Sequence, residues 1–250
     1  MRESFATFTF AGTLADFVPS ARGNPIRYGF RGSPAVKDAI EALGVPHVEV
    51  NAILVNGKAS TFDRPLQGGD QVWVHPHDAP PECASWLHLQ PSLPEAIAFL
   101  ADVHLGRLAR TLRLLGFDTL HDGSLTDAAV VRIARAEDRI VLTRDRQILK
   151  HGNLLRGYWV RSTDPHTQIR EVVLRFDLAH RARPFSRCSA CNGLLRHVAK
   201  EIVLDRIPPR TALWRDEYVE CPSCLRLYWW GSHAERLRHL VESALGPRAL

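Results

Sequence analysis

Residues 99–116 read Phe99-Leu-Ala-Asp102-Val-His-Leu-Gly-Arg107-Leu-Ala-Arg110-Thr-Leu-Arg113-Leu-Leu115-Gly116, and the change of pattern inside this stretch decides the fold. An apolar run over 96–101 reads as a buried strand and delivers one carboxylate, Asp102. Helical spacing begins at once: Leu105, Leu108, Leu112 and Leu115 form an apolar stripe, and Arg107, Arg110 and Arg113 recur every three residues. Gly116 stands where a helix C-terminal glycine belongs. A strand that runs directly into a helix is the first half of a β-α-β unit.

The alternation continues to about residue 180. Strands are expected over 117–120, 140–143 and 158–161, and helices over 103–115, 126–136, just after Asp145, and over 165–178. Such an order implies an α/β domain with a parallel sheet, right-handed crossovers and helices on both faces. Ligands of these sheets bind beyond the carboxyl ends of the strands. Asp102 and Asp145 both fall at that edge, although 43 positions separate them. Asp127 opens the middle helix, and Asp122 is a weaker fourth.

Carboxylates gathered at one edge repel unless a cation joins them. Magnesium or manganese prefers oxygen ligands, and such an ion activates water and polarises a phosphodiester. Each acid also has a plainer reading. Asp145 would serve as a helix N-cap, Asp127 completes a capping-box spacing in Ser124-Leu-Thr-Asp127, and Asp122 suits a turn. Asp102 has the weakest structural reason to be there. The arginines likewise read either as a solvated face or as a phosphate-tracking face beside Asp102.

Asp102-Val-His-Leu-Gly-Arg-Leu-Ala-Arg-Thr-Leu-Arg-Leu-Leu-Gly-Phe-Asp-Thr119, together with Arg139-Ile-Val-Leu-Thr-Arg-Asp-Arg146, resembles the Mut-seven C-terminal ribonuclease family of the PIN-like nuclease fold. The resemblance implies a PIN-type acidic metal site. Asp102 matches the acid after the first strand, Asp145 that of a Thr-x-Asp motif, and Asp127 the acid opening the middle helix.

Upstream, strands alternate with turns over 5–10, 26–30, 48–55 and 71–74, with one helix entered through Ser33-Pro34 and ended near Gly44. Asn56-Gly57 is a hairpin turn. The order β-β-α-β-β is that of a ubiquitin-like β-grasp. Asn51-Ala-Ile-Leu-Val-Asn-Gly57, Pro65-Leu66 and Gly68-Gly-Asp-Gln-Val-Trp-Val74 resemble the MoaD/ThiS sulfur carriers. A carrier ends in a free diglycine, whereas Gly68-Gly69 here precedes the last strand. Docking of a protein partner or simple stabilisation is therefore expected of this segment. Prolines at 76, 80, 81, 91 and 94 mark a semi-rigid linker, in which Cys83 is a lone thiol.

Downstream, Cys188-Ser-Ala-Cys191 and Cys221-Pro-Ser-Cys224 are two knuckles whose four thiolates would surround a structural zinc. The intervening residues suggest a hairpin excursion. Arg226, Tyr228, Trp229, Trp230 and His233 form an aromatic and basic cluster, read either as base-stacking groups or as packing of the ribbon on the middle domain. Arg187-Cys-Ser-Ala-Cys-Asn-Gly193 and Tyr228-Trp-Trp-Gly-Ser-His233 also resemble the ribonuclease family.

The expected division is a ubiquitin-like β-grasp at 1–76, a linker at 77–93, a PIN-like nuclease domain at 94–180, and a zinc ribbon with C-terminal helix at 181–250. Residues 181–250 hold 12 basic and 7 acidic groups, and arginine accounts for all but four of the chain's 32 basic residues. That balance favours RNA as partner. No apolar run reaches eighteen residues and no secretory leader is evident, so no membrane role and a cytoplasmic location are expected. In that reducing setting paired cysteines point to metal rather than disulfides. The leading expectation is a Mg- or Mn-dependent ribonuclease using Asp102, Asp127 and Asp145. Arg107, Arg110, Arg113, Arg144, Trp229 and His233 would hold RNA, and zinc would sit on the four cysteines. The alternative is a non-catalytic RNA-binding or ribosome-associated adaptor.

Overall fold

The protein is described from a computed structural model, in which residues 3–18, 25–77, 87–229 and 241–245 are placed well enough to describe. Trp230, His233, Cys83 and residues 78–86 of the expected linker lie outside these residues.

The N-terminal segment is a mixed five-stranded sheet over one helix. Its elements are β1 (Ser4–Phe10), β2 (Ile26–Phe30), α1 (Val36–Ala42), β3 (Ala52–Val55), β4 (Lys58–Ser60) and β5 (Gln71–His75), in the spatial order β2-β1-β5-β3-β4. The central pair β1–β5 is parallel, with Thr7 opposite Gln71, and its neighbours are antiparallel. This is the β-grasp arrangement. Phe8, Leu14, Ile40, Ile53, Leu66 and Val72 fill its core.

Helix α1 starts later than Ser33-Pro34 suggests. Residues 34–36 are held extended against 64–66 by the amides of Leu66 and Val36, so Ala35 becomes the N-cap and the Asp38 carboxylate takes its amide at 3.3 Å. The expected start of the third strand at Val48 is instead a 3-10 turn, His47–Glu49. Asn56 and Gly57 adopt φ of 52° and 77°, as a two-residue hairpin requires. Gly68-Gly69 is locked inside the chain: the Gly69 amide donates to the Phe5 carbonyl, and buried Asp70 binds Arg64, the Gln67 amide and Asn56. Burial works against its ionisation, but these partners outweigh it and hold the carboxyl below its usual pKa.

Strands and helices then alternate: β6 (Ala98–Ala101), α2 (Gly106–Leu114), β7 (Asp118–His121), α3 (Asp127–Ala136), β8 (Ile140–Thr143), α4 (Arg146–Leu149), β9 (Gly157–Trp159) and α5 (Pro165–Arg175). Strands β6 and β7 pair in parallel, as do β8 and β9. The apolar stripe of α2 is buried, and its C-terminal glycine is required twice over. Gly116 has φ of 94°, and a Cβ there would lie 2.2 Å from the Arg183 carbonyl oxygen. The chain near Arg183 in turn closes α2: the amides of Arg183 and Phe185 donate to the carbonyls of Leu115 and Leu114.

The C-terminal segment is an antiparallel ribbon, β10 (Arg196–Val198), β11 (Tyr218–Glu220) and β12 (Leu227–Trp229), in the order β10-β11-β12. Between the knuckles β10 and β11 form the expected hairpin excursion, but the chain that connects them is helical, with α6 (Lys200–Val203) and α7 (Pro209–Ala212). Pro209 sits in the first turn of α7, where its missing amide costs nothing. Val203, Ile207 and Tyr218 form the ribbon's own small core.

Two compact units result. One comprises residues 1–95 and 126–159, and the other 96–125 and 160–250. In the first, Trp159 packs on the β-grasp core, with its ring 4.9 Å from Phe17. In the second, Phe99 lies between Phe117 and Phe176.

Candidate metal centres

The four cysteines converge. The Sγ atoms of Cys188, Cys191, Cys221 and Cys224 all lie within 4.8 Å of one another. Cys188 is 3.7 Å from Cys224 and Cys191 is 3.3 Å from Cys221, so the near pairs cross between the knuckles. A tetrahedral ion with sulfur ligands at about 2.3 Å requires sulfurs about 3.8 Å apart. The cluster therefore fits zinc.

Each knuckle is closed by the same backbone pattern. The amide after the second cysteine bonds back to the first cysteine's carbonyl, Asn192 to Cys188 and Leu225 to Cys221. The first cysteine's amide bonds ahead to Gly193 or Arg226. The residue after the second cysteine is left-handed in both, with φ of 73° at Asn192 and 57° at Leu225. Gly193 has no room for a side chain, since a Cβ would meet Cys221 Sγ at 2.9 Å.

Four thiols at this range cannot all ionise without a cation. Burial opposes the Cys188 thiolate, but the Tyr228 hydroxyl and the amides of Cys191 and Ala190 outweigh it and bring its pKa down to about 6. The Gly193 amide favours the Cys191 thiolate, yet burial and the neighbouring thiols win and push it up to about 12. Tyr228 thus has a place in the cysteine cluster, its hydroxyl 3.0 Å from Cys188 Sγ. Trp229, on the other face of β12, packs in the ribbon core near Tyr218, with ring centres 6.3 Å apart.

A polar network fastens the first knuckle to α2 and β7. Arg113 is 6 % exposed, and its guanidinium donates to the carbonyls of Thr119, Ser189 and Ala190. Burial draws its pKa below the usual arginine value, while the charge of Cys188 and Cys191 acts the other way. Asn192 accepts from the Thr119 amide and donates to Asp118, which also faces Arg187 at 3.5 Å. Arg113 is therefore corrected from a nucleic-acid contact to a structural tie. Two steps of three residues carry a helical face round by about a third of a turn, so Arg107 and Arg110 remain exposed while Arg113 turns inward.

The acids stand at strand-to-helix junctions. Asp102 directly follows β6, is 6 % exposed, and its Oδ1 accepts from the His104 amide at 2.9 Å. Asp145 lies two residues past β8, and its Oδ1 accepts from the Gln147 amide at 2.8 Å. Asp127 is exposed at the first position of α3. The cap there is Thr126, whose hydroxyl takes the Ala129 amide, so the capping-box reading of Ser124 and Asp127 does not hold. Ser124 bonds instead to Asp122, which forms a local turn. Asp102 belongs to the second unit, and Asp127 and Asp145 to the first. Arg144, between β8 and Asp145, is half-buried.

His121 carries a role that the sequence reading missed. It closes β7 opposite Ala101, and its Nδ1 donates to the Ala101 carbonyl at 3.2 Å. Its Nε2 occupies the space a Cβ on Gly106 would take, 3.0 Å away, which explains the glycine at the start of α2. The signal was its place beside Asp122 at the carboxyl end of a strand.

No helix among the described residues is long and apolar enough to cross a membrane. No curated protein matches the chain. Among solved structures, the crystal structure of H. volcanii small archaeal modifier protein 1 is 21 % identical, covering 29 % of this chain and 97 % of its own, with a TM-score of 0.24. The structure of SAMP1 from Haloferax volcanii is also 21 % identical, covering 31 % and 99 %, with a TM-score of 0.26. Of the family descriptions, Mut7-C ubiquitin matches residues 3–81, and Mut7-C RNAse domain matches 97–241. More than half of the chain falls in the second match, and the chain belongs to the Mut7-C RNAse domain family, with a Mut7-C ubiquitin segment in front.

Proposed function

We propose that this chain is a divalent-metal-dependent ribonuclease that hydrolyses RNA phosphodiester bonds. The observation that carries the reading is the placement of Asp102 and Asp145. Each stands just beyond the carboxyl end of a parallel strand, with one carboxylate oxygen pinned by the amide two residues on. Such pinning fixes the direction of the acid, as a ligand for a hard cation requires. Asp127, at the exposed start of α3, is the third ligand in this reading. Bound Mg²⁺ or Mn²⁺ would supply the Lewis acidity and activate the attacking water.

The chain's own residues do the rest. Arg107 and Arg110 project from α2, the helix that begins four residues after Asp102, and hold phosphates of the RNA backbone. Zinc on the four cysteines fixes the ribbon to α2 and β7 and keeps that helix in place. A cytosolic setting, where thiols stay reduced, completes the reading.

The test is Asp145→Asn. Asparagine is as good an N-cap as aspartate, so the fold should survive while Mn²⁺-dependent cleavage falls by a factor of about 10³, the scale of a lost charge-stabilising group. A folded variant that cuts RNA at the parental rate would remove Asp145 from the site.

A further inference from the structure

The geometry points to Arg146 as a positioning residue, through which the ubiquitin-like segment holds Asp145 in place for the metal. This rests on the proposed nuclease reading of Asp145. Helix α4 has only four residues, and so short a helix has no stability of its own. What fixes it is its surroundings. The Asp145 amide donates to Thr143 Oγ1 at 2.8 Å, and Ile148 and Leu149 are buried. The third anchor is the Arg146 side chain.

That side chain reaches into the β-grasp. Its guanidinium lies 3.9 Å from the centre of the Trp159 ring and 5.3 Å from that of Phe17. It also donates to the carbonyls of Phe17 and Asp16, at 3.5 and 3.4 Å, where the 3-10 turn Gly12–Phe17 ends. Both surfaces are themselves held. The Trp159 amide donates to buried Glu49 at 2.6 Å, and Glu49 belongs to the 3-10 turn that also carries His47. His47 donates through Nε2 to the Leu154 carbonyl at 3.0 Å and faces Glu41 at 2.7 Å through Nδ1. Residues of the N-terminal segment thus grip the chain ahead of β9, at Leu154, and at its last residue, Trp159, and the guanidinium over the Trp159 ring passes that grip to the residue next to Asp145. A carboxylate displaced by about 1 Å is enough to cost a hundredfold in rate. The arginine after a metal-ligating acid would otherwise be taken for a phosphate contact, and here it is turned inward onto protein.

The experiment compares the full chain with Arg146→Ala, Arg146→Lys and Asp145→Asn, using Mn²⁺ affinity by titration calorimetry, RNA cleavage with Mn²⁺, and RNA binding in EDTA. Arg146→Ala should weaken Mn²⁺ binding about tenfold and lower kcat about 10- to 100-fold, with metal-free RNA affinity unchanged. Arg146→Lys keeps the charge near the two carbonyls but not the guanidinium over the Trp159 ring, so its Mn²⁺ loss should be smaller and still measurable; it decides the matter if the alanine variant does not fold. Parental Mn²⁺ affinity and kcat in either folded variant would overturn the role of Arg146. So would a loss confined to RNA binding in EDTA with a shallower salt dependence, the mark of a phosphate contact. Parental protein that neither binds Mn²⁺ nor cuts RNA would instead overturn the nuclease reading itself.

Discussion

The four cysteines come from two copies of one short motif, whereas Asp102, Asp127 and Asp145 arrive singly, each at the entry to a different helix. In a knuckle, two ligands three residues apart are held by two backbone hydrogen bonds and a left-handed residue, so the local sequence writes most of the geometry. An acid at a strand end is placed by the strand before it and the helix after it, and only the sheet decides which acids meet. The cysteine cluster and the proposed acidic site should therefore fail differently. Loss of a thiol breaks structure, while loss of a carboxylate to its amide leaves the cap and removes charge alone.

The strongest way to break this contrast is Cys221→Ser. Cys221 is fully buried, and among the described residues the ribbon around it has a core cluster of three buried residues. Structural zinc supplies about 10 to 16 kcal/mol in peptides of this kind, comparable with the whole stability of a domain. The variant should bind no zinc, and the amides of β10, β11 and β12 should lose their hydrogen-exchange protection. Protection equal to the parent's in zinc-free protein would mean that the ribbon stands without its metal. Asp145→Asn is the matching variant of the other centre, expected to retain protection throughout.

Arg113→Met sharpens the comparison at intermediate size, because Arg113 joins the first knuckle to the helix that follows Asp102. Removing it leaves the carbonyls of Thr119, Ser189 and Ala190 short of a donor inside the protein. A cost of about 2 to 4 kcal/mol follows from the loss of a buried charged donor, read as a lower urea midpoint. A change below about 0.5 kcal/mol, the scale of ordinary surface substitutions, would show that the tie is not needed.

The same contrast explains what could be read from the sequence. The cysteine cluster, the Asn56-Gly57 hairpin, the Gly116 terminus and the order of strands and helices follow from spacing and local backbone demands. The inward turn of Arg113 does not, because a three-residue repeat says which arginines drift round the helix but not where the core lies. Nor did the position of α1, which hydrogen bonds from residues 64–66 override. His121 and Arg146 were missed for a related reason. Both work through contacts, His121 with Gly106 and Arg146 with Phe17 and Trp159, that exist only once distant parts of the chain have packed.

The smallest expected effect separates the two knuckles themselves. They share φ above zero after the second cysteine, yet one has Asn192 there and the other Leu225. A left-handed backbone costs an ordinary residue about 1 to 2 kcal/mol and costs asparagine less. Leu225 is 62 % exposed, so burial of its side chain returns little. Leu225→Asn should therefore stabilise the protein by about 0.5 to 1 kcal/mol. The reverse change at the first knuckle is not equivalent. Asn192→Leu adds the backbone strain and also removes the bonds to the Thr119 amide and Asp118, so it should cost about 2 to 3 kcal/mol. Equal and opposite shifts from the two variants, measured by thermal unfolding, would mean that the side-chain bonds of Asn192 contribute nothing beyond its backbone preference. The expected inequality marks the first knuckle as the docked one and the second as the one held chiefly by its own turn and by the metal.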